Sequence, residues 1–302
     1  MMNNRKNTIL ITGAAGFIGK NAAKFFKEHG WRVVGIDLKE QEGEMDGWYS
    51  GTITKELLAN IKEKPDVVLH CAGGSSVGFS IENPEEDYKM NVESAKNVLE
   101  FIKSECPDIR LIFLSSAAVY GQKENIAISE ADSLNPVSPY GRNKKMAEDL
   151  CREYLEKYNI SISIVRLFSV YGSGLHKQIF WDACNKIKDA DKSITFFGTG
   201  EETRDFVHIN DINNLFLILS ESKNKFEIIN CGSGKSIKMK TVLEVLRDKY
   251  KKDVQITFNQ ISKEGDPKFY QANIGKALAL GWKPVIELKN GIEEYVNYFK
   301  KI

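Results

Sequence analysis

Ser116, Tyr140 and Lys144 have side chains suited to moving one proton to or from an alcohol. Tyr140 and Lys144 stand four apart in SPYGRNK (138–144), so on a helix they share a face. A phenol with an ordinary pKa of about 10 is a poor base near neutrality. An ammonium beside it stabilises the phenolate and lowers that pKa. Taken alone, Y-x-x-x-K is common by chance and describes a surface pair on an amphipathic helix. Ser116 upstream changes the weighing, because with Ser115 it follows Leu111-Ile112-Phe113-Leu114, an apolar run that reads as a buried strand reaching solvent. A strand end that opens to solvent with a hydroxyl, near a helix carrying Tyr140 and Lys144, makes the surface-pair reading less favoured.

The elements that must position these groups alternate. Apolar, β-branched runs predict strands at 8–12, 32–37, 66–70, 110–114 and 161–166. Helical patterns lie between them, one with Ala22, Phe25 and Phe26 on a common face, then 54–62, 84–104 and 139–158. Short, fully apolar strands alternating with helices predict an α/β fold, a parallel sheet covered on both faces. Beyond about residue 170 the pattern loosens into helices at 175–189, 210–221, 238–250 and 290–300, with strands at 194–197, 226–230 and 254–258.

Thr12-Gly13-Ala14-Ala15-Gly16-Phe17-Ile18-Gly19 joins the first strand to the first helix. Glycines at such a turn let the backbone pass close to a pyrophosphate, which meets the free N–H groups of the helix N-terminus. Asp37 ends the second strand, where a carboxylate accepts both ribose hydroxyls of adenosine and repels a 2′-phosphate. NAD is therefore expected over NADP. The bland alternative is a tight turn followed by a capping acid.

Composition bounds the partners. The 302 residues carry a net charge of +1, with 42% apolar and 27% charged residues. That balance gives no support for a nucleic-acid or anionic-membrane partner. No apolar run approaches the roughly 20 residues of a spanning helix, and Met1–Asn7 lacks the apolar core of a signal peptide. The five cysteines form no C-x-x-C pair and make no usual zinc spacing with the four histidines. No metal is expected, and a cytoplasmic location is.

Together these residues resemble an extended short-chain dehydrogenase/reductase of the NAD-dependent nucleotide-sugar epimerase/dehydratase family, UDP-glucose 4-epimerase-like. The resemblance runs through the glycine turn, DVVLHCAG (66–73), NVESAKNVLE (91–100), SSAAVYG (115–121), SPYGRNK, VRLFSVYG (165–172), FFGTGEETRDFVHIND (196–211) and LGWKP (280–284). It implies a Rossmann-type doubly wound sheet with a smaller C-terminal α/β substrate-binding region. The NAD-binding domain would take 1–170 and about 205–232, and the nucleotide-sugar region about 171–204 and 233–302. It implies a catalytic trio of Ser116, Tyr140 and Lys144. Gly13, Ala15, Gly16, Phe17, Ile18 and Gly19 would meet the cofactor's phosphates, and Asp37, Leu38, Thr52 and Ile53 its adenosine end. Cys71, Ala72, Gly73, Asn91, Tyr140, Lys144 and Phe168 would line the rest of the groove. The nucleotide sugar would be held by Ser75, Ser116, Ser169, Thr195, Phe197, Arg204 and Lys263.

Departures from the family pattern matter. The dehydratase branch carries an Asp-Glu pair after its serine or threonine, and here Ala117 and Ala118 stand there. Methyl groups exchange no proton, so dehydration is not expected; the Ser-Ala-Ala arrangement resembles that of 4-epimerases and simple reductases or dehydrogenases, and the resemblance implies C4 epimerisation through a 4-keto sugar. One-way C4 redox, by a 4-keto-sugar reductase or a C4 dehydrogenase, is the alternative. A non-catalytic NAD-sensing protein would have no need of the trio. Lys263, Ser169, Thr52 and Ser75 replace residues more usual in the family at phosphate and base contacts. An Arg204–Asp205 salt bridge is the bland reading of that pair. The family further implies a homodimer through the helices of Asn91–Ile102 and Tyr140–Tyr158, where Met146, Leu150 and Tyr154 fall four apart.

Overall fold

A computed structural model describes residues 6–39, 45–105, 108–123, 126–261 and 268–302. Lys263, with Gly265 and Asp266, lies outside the described residues. In chain order the elements begin β1 (Thr8–Thr12), α1 (Phe17–Glu28), β2 (Arg32–Asp37), β3 (Gly47–Ser50), α2 (Lys55–Ala59), β4 (Val67–His70), α3 (Val77–Glu82) and α4 (Pro84–Tyr88). A π-helical turn (Lys89–Glu93) leads to α5 (Ser94–Glu105) and β5 (Arg110–Ser116). A 3-10 turn (Ala117–Tyr120) precedes α6 (Pro139–Tyr158), β6 (Ser161–Leu167), β7 (Ser169–Tyr171), α7 (Gln178–Asp189), β8 (Ser193–Phe196), β9 (Thr203–Arg204) and β10 (Phe206–His208). The chain ends with α8 (Ile209–Ser220), β11 (Phe226–Cys231), β12 (Ile237–Lys238), α9 (Met239–Tyr250), β13 (Gln255–Phe258), α10 (Gly275–Ala279) and α11 (Leu288–Phe299).

Two compact units divide these elements: 1–121, 133–166 and 213–229 in the first, and 122–132, 167–212 and 230–302 in the second. The first is built on a seven-stranded sheet of order β11-β6-β5-β4-β1-β2-β3. The pairs β1–β2, β1–β4, β2–β3 and β4–β5 run parallel. The order turns around between β1 and β4, and ligands of open α/β sheets settle outside the strand ends at such a point. Side chains of the sheet, among them Leu10, Val68, Leu111 and Phe113, bury against Val98, Leu99 and Ile102 of α5 and Ala147 and Cys151 of α6. Burial on both faces explains why these strands are apolar throughout. β3 escapes sequence reading because Gly47-Trp48-Tyr49-Ser50 is short and only half-buried at the sheet edge.

The helix expected over 84–104 is broken. Asn83 leaves the helical region (φ −133°, ψ 64°) and Pro84 starts α4 at a position where its missing N–H costs nothing. The π-helical turn then carries Asn91 and Val92 inward, both buried. Single π turns of this kind recur at functional sites.

In the second unit, β7 pairs with β10 and β8 with β13 in parallel, while β9 and β12 are antiparallel. Tyr171 stacks on Phe180 at 4.8 Å, and Phe180 meets Tyr295 of α11 edge-on at 5.3 Å. The LGWKP loop is tied to the start of α8. The Asp211 carboxylate accepts from Val285 N–H at 3.1 Å and Ile286 N–H at 3.2 Å, and the Asp211 carbonyl takes the Trp282 indole N–H at 2.7 Å.

Candidate active site

The glycine turn after β1 is held by contacts that admit no side chain. Gly13 has φ +69°, a left-handed value, and a methyl on it would lie 2.6 Å from the Ala72 nitrogen. A methyl on Gly19 would strike the Gly13 carbonyl oxygen, so α1 starts directly against the turn. Gly16 caps α1 without any side-chain hydrogen bond, and the first turn has no acidic residue. The first N–H groups of α1, at Phe17 and Ile18, are therefore left to an anion.

Both oxygens of Asp37 are fixed by the backbone. Oδ2 accepts from Ala15 N–H at 2.9 Å and Oδ1 from Leu38 N–H at 2.7 Å. Each oxygen keeps a further lone pair for a hydroxyl. Leu38 itself is 70% exposed. After β3, Thr52 is exposed and Ile53 buried, and the Ile53 carbonyl accepts from Asn97 Nδ2 at 2.9 Å. Cys71-Ala72-Gly73 is tied to the end of β1: Cys71 N–H reaches the Thr12 carbonyl at 3.0 Å and Ala72 N–H the Thr12 hydroxyl at 3.3 Å. That hydroxyl also pairs with His70 Nδ1 at 2.7 Å. Burial pushes the Cys71 thiol up, which leaves it a neutral wall and no nucleophile. The donor set suits a dinucleotide: an open helix N-terminus, a close-approach turn and a fixed carboxylate at the second strand.

Ser115 and Ser116 face opposite sides of β5, as successive strand residues must. Ser115 donates to buried Glu148 at 2.5 Å. Ser116 is half-buried, and its hydroxyl accepts from Ala118 N–H at 3.2 Å to start the 3-10 turn. Tyr140 sits in the first turn of α6, behind Pro139 and the Ser138 cap, whose hydroxyl accepts from Gly141 N–H at 3.1 Å. The Tyr140 N–H donates to Ser80 Oγ at 3.0 Å. Burial pushes the Tyr140 phenol up to about 12; a hydrogen bond with Ser116 works against this and the Asp87 charge with it. One turn on, Lys144 is 6% exposed and donates to the Leu114 carbonyl at 3.0 Å. Burial brings its ammonium down to about 8, with Asp87 the largest opposing influence. The end of β5 and the start of α6 thus bring Ser116, Tyr140 and Lys144 to one place. Gly73 and Asn91 join them: a methyl on Gly73 would lie 2.7 Å from Asn91 Oδ1 and 3.3 Å from Lys144 Nζ. Ser75 is exposed in the loop beyond.

The expected binding residues described in the second unit, Phe168 for the cofactor and Ser169, Thr195, Phe197 and Arg204 for the nucleotide sugar, are spread over several elements. Phe168 is buried edge-on against Tyr270 at 5.9 Å, and Ser169 N–H in β7 donates to the Asp205 carbonyl at 2.9 Å. Thr195 shares a hydroxyl hydrogen bond with Thr257 at 2.9 Å on an exposed face. Phe197, two residues on, is 57% exposed. Arg204 lies in β9, and its Nη1 donates to the Thr203 carbonyl at 2.8 Å. Its neighbour Asp205 serves as a loop anchor, accepting from the N–H groups of Ser233, Gly234 and Ala272 and from the Ser233 hydroxyl. Sequence reading missed Ser80, Asp87 and Asn143 beside the trio, and the Glu148–Arg166 pair behind it, because each contact joins residues on separate elements.

Residues 9–232 match the NAD dependent epimerase/dehydratase family, and the chain belongs to it. The UDP-glucuronate 4-epimerase of Thermodesulfobacterium geofontis is 31% identical, over 97% of this chain and 96% of that protein. The UDP-glucuronic acid 4-epimerase of Bacillus cereus, solved with UDP-glucuronic acid and NAD, is similar at a TM-score of 0.87 and 29% identity, over 97% of this chain and 99% of that one. The UDP-glucose 4-epimerase of Thermotoga maritima, solved with UDP-glucose, gives a TM-score of 0.90 at 25% identity, with the same coverage.

Proposed function

We propose that this chain catalyses reversible, NAD-dependent epimerisation at C4 of a UDP-linked sugar through a 4-keto intermediate. The observation that carries the reading is the meeting of Ser116, Tyr140 and Lys144 at the end of β5, with methyl groups at Ala117 and Ala118 beside them. NAD, when bound, supplies a hydride acceptor that becomes the hydride donor of the return step. Ser116 holds the C4 oxygen, and Tyr140 removes its proton in the oxidation and gives it back after the ketone has presented its other face. Lys144 stabilises the phenolate that this exchange passes through. No acid stands at 117 or 118 to drive loss of water.

We assign NAD-binding roles to the Gly13–Gly19 turn, Asp37, Leu38, Thr52, Ile53, Cys71-Ala72-Gly73, Asn91, Tyr140 and Lys144, and to Phe168. Binding of the nucleotide sugar is assigned to Ser75, Ser116, Ser169, Thr195, Phe197, Arg204 and Lys263. The protein acts in the cytoplasm, consistent with the described cysteines, Cys71, Cys151, Cys184 and Cys231, all being free thiols. It acts as a homodimer, formed through a groove of about 590 Å³ lined by the π-helical turn, α5 and α6 with Lys55 and Tyr88, where Met146 is exposed. Tyr154 takes no part in that surface, being 6% exposed and hydrogen-bonded to Glu100 of its own chain.

Incubation with UDP-glucose and UDP-glucuronic acid, read by NMR, tests the reaction. A C4 epimer without net NADH is the expected product. A new methyl resonance, from a 4-keto-6-deoxy sugar, would overturn it.

A further inference from the structure

We propose that Asp87 is a positioning residue: from beneath the Gly73-Gly74 turn, its carboxylate holds Lys144 in the charged form that the proton transfer needs, a role that rests on the 4-epimerase reading above. Asp87 lies in α4 and is 0% exposed. Its Oδ2 accepts from Asn143 Nδ2 at 2.8 Å, and its Oδ1 has no hydrogen-bond partner. A methyl on Gly74 would lie 2.5 Å from that Oδ1 and 3.1 Å from Asn91 Nδ2. The neighbouring Gly73 faces Asn91 Oδ1 and Lys144 Nζ in the same way. The carboxylate, the amide and the ammonium therefore converge under one glycine pair, with no side chain of 73 or 74 between them.

A carboxylate kept from water needs an opposite charge close by. The other charged groups near Lys144 are already committed or neutral. Glu148, on its own helix, is held by Arg166 at 2.7 Å. Burial keeps the Cys71 and Cys151 thiols protonated. Burial also brings His70 down to about 3, so it is uncharged at neutral pH. The hydrogen bond from Lys144 goes to a neutral acceptor, the Leu114 carbonyl. Asp87 thus remains the charge that opposes burial of the ammonium. Its effect on Tyr140 has the opposite sign, disfavouring phenolate, so its benefit to proton transfer passes through Lys144.

The titration itself needs no substrate. In protein labelled with 13C-lysine, the resonance lost in Lys144→Met belongs to Lys144, and its titration is followed by NMR. In Asp87→Asn the midpoint is expected to fall by about one pH unit or more, whereas Asp87→Glu, which keeps the charge, stays near wild type. Asp87→Ser gives the same reading if the asparagine variant does not fold. In the wild type, the Asp87 carboxyl carbon is expected to shift in step with Lys144. The alkaline fall of kcat should move down together with the midpoint. An unchanged Lys144 midpoint in the uncharged variants, or an Asp87 carbon blind to the Lys144 step, overturns the proposal. Absence of epimerisation by the wild type instead counts against the reaction, and the titration still decides the coupling.

Discussion

Glu148 holds Arg166 through two parallel hydrogen bonds, 2.7 Å from Nη2 and 3.0 Å from Nε, with both side chains out of reach of solvent. The same carboxylate takes the Ser115 hydroxyl, and Arg166 Nη1 donates to Tyr120 at 2.8 Å. This network fixes β5, β6, α6 and the 3-10 turn around Ser116. Removing one partner leaves the other charge buried and unpaired. Glu148→Ala is expected to cost about 3–5 kcal/mol in urea unfolding. Replacing both residues together with apolar ones should cost less than that single change.

Tyr140→Phe removes the proton carrier and keeps the ring. The kcat is expected to fall by roughly 10²–10⁴-fold, while calorimetry shows NAD binding little changed. Near-normal turnover would take Tyr140 out of the reaction.

Asp37 should set the choice of cofactor. Because its two oxygens are fixed by Ala15 and Leu38 N–H, a 2′-phosphate would meet a carboxylate already held in place by the backbone. Calorimetry on cofactor-free protein is expected to show NAD binding more tightly than NADP, and Asp37→Ser should narrow the gap. Tighter NADP binding by the wild type would contradict this.

Acid should destabilise the first unit through His70. Burial, with the Lys144 charge second, brings this imidazole from 6.5 down to about 3. Between those values the unfolded chain takes up a proton that the folded chain refuses. Stability therefore falls as pH drops from 6.5 towards 3, by about 1.4 kcal/mol per unit, and this contribution levels off below that. Urea unfolding at several pH values checks it: His70→Gln should start less stable near neutrality but show a shallower acid loss.

How much could be read from the residues depended on the distance over which each feature is determined. The span of α6 was legible at both ends, since Ser138 and Pro139 start it and Asn159, in a left-handed conformation, stops it. That Tyr140 and Lys144 share a face was legible because they stand one helical turn apart, and that Ser116 ends a strand was legible from the apolar run before it, whereas the meeting of strand end and helix depends on packing. The break of the long helix at Asn83-Pro84 had a local signal, the proline, but the π-helical turn that directs Asn91 inward had none. β9, β10 and β12 are two or three residues long, and their existence depends on distant partners. Asp87 and Asn143 lie on different helices and meet only once α4 and α6 have packed. The Glu148–Arg166 pair was hidden for the same reason, although a charged residue within an otherwise apolar strand was a sign that it needed a partner.

In the proposed reaction one hydride leaves C4 of the sugar and returns to the opposite face of the same carbon. UDP-sugar carrying deuterium at C4 tests it directly, in ordinary water, with the product analysed by NMR and mass spectrometry. The expected product is a C4 epimer that retains its deuterium at C4, with no solvent hydrogen there and no net NADH. Loss of the label from C4, or its arrival at C6 of a 4-keto-6-deoxy product, would contradict it.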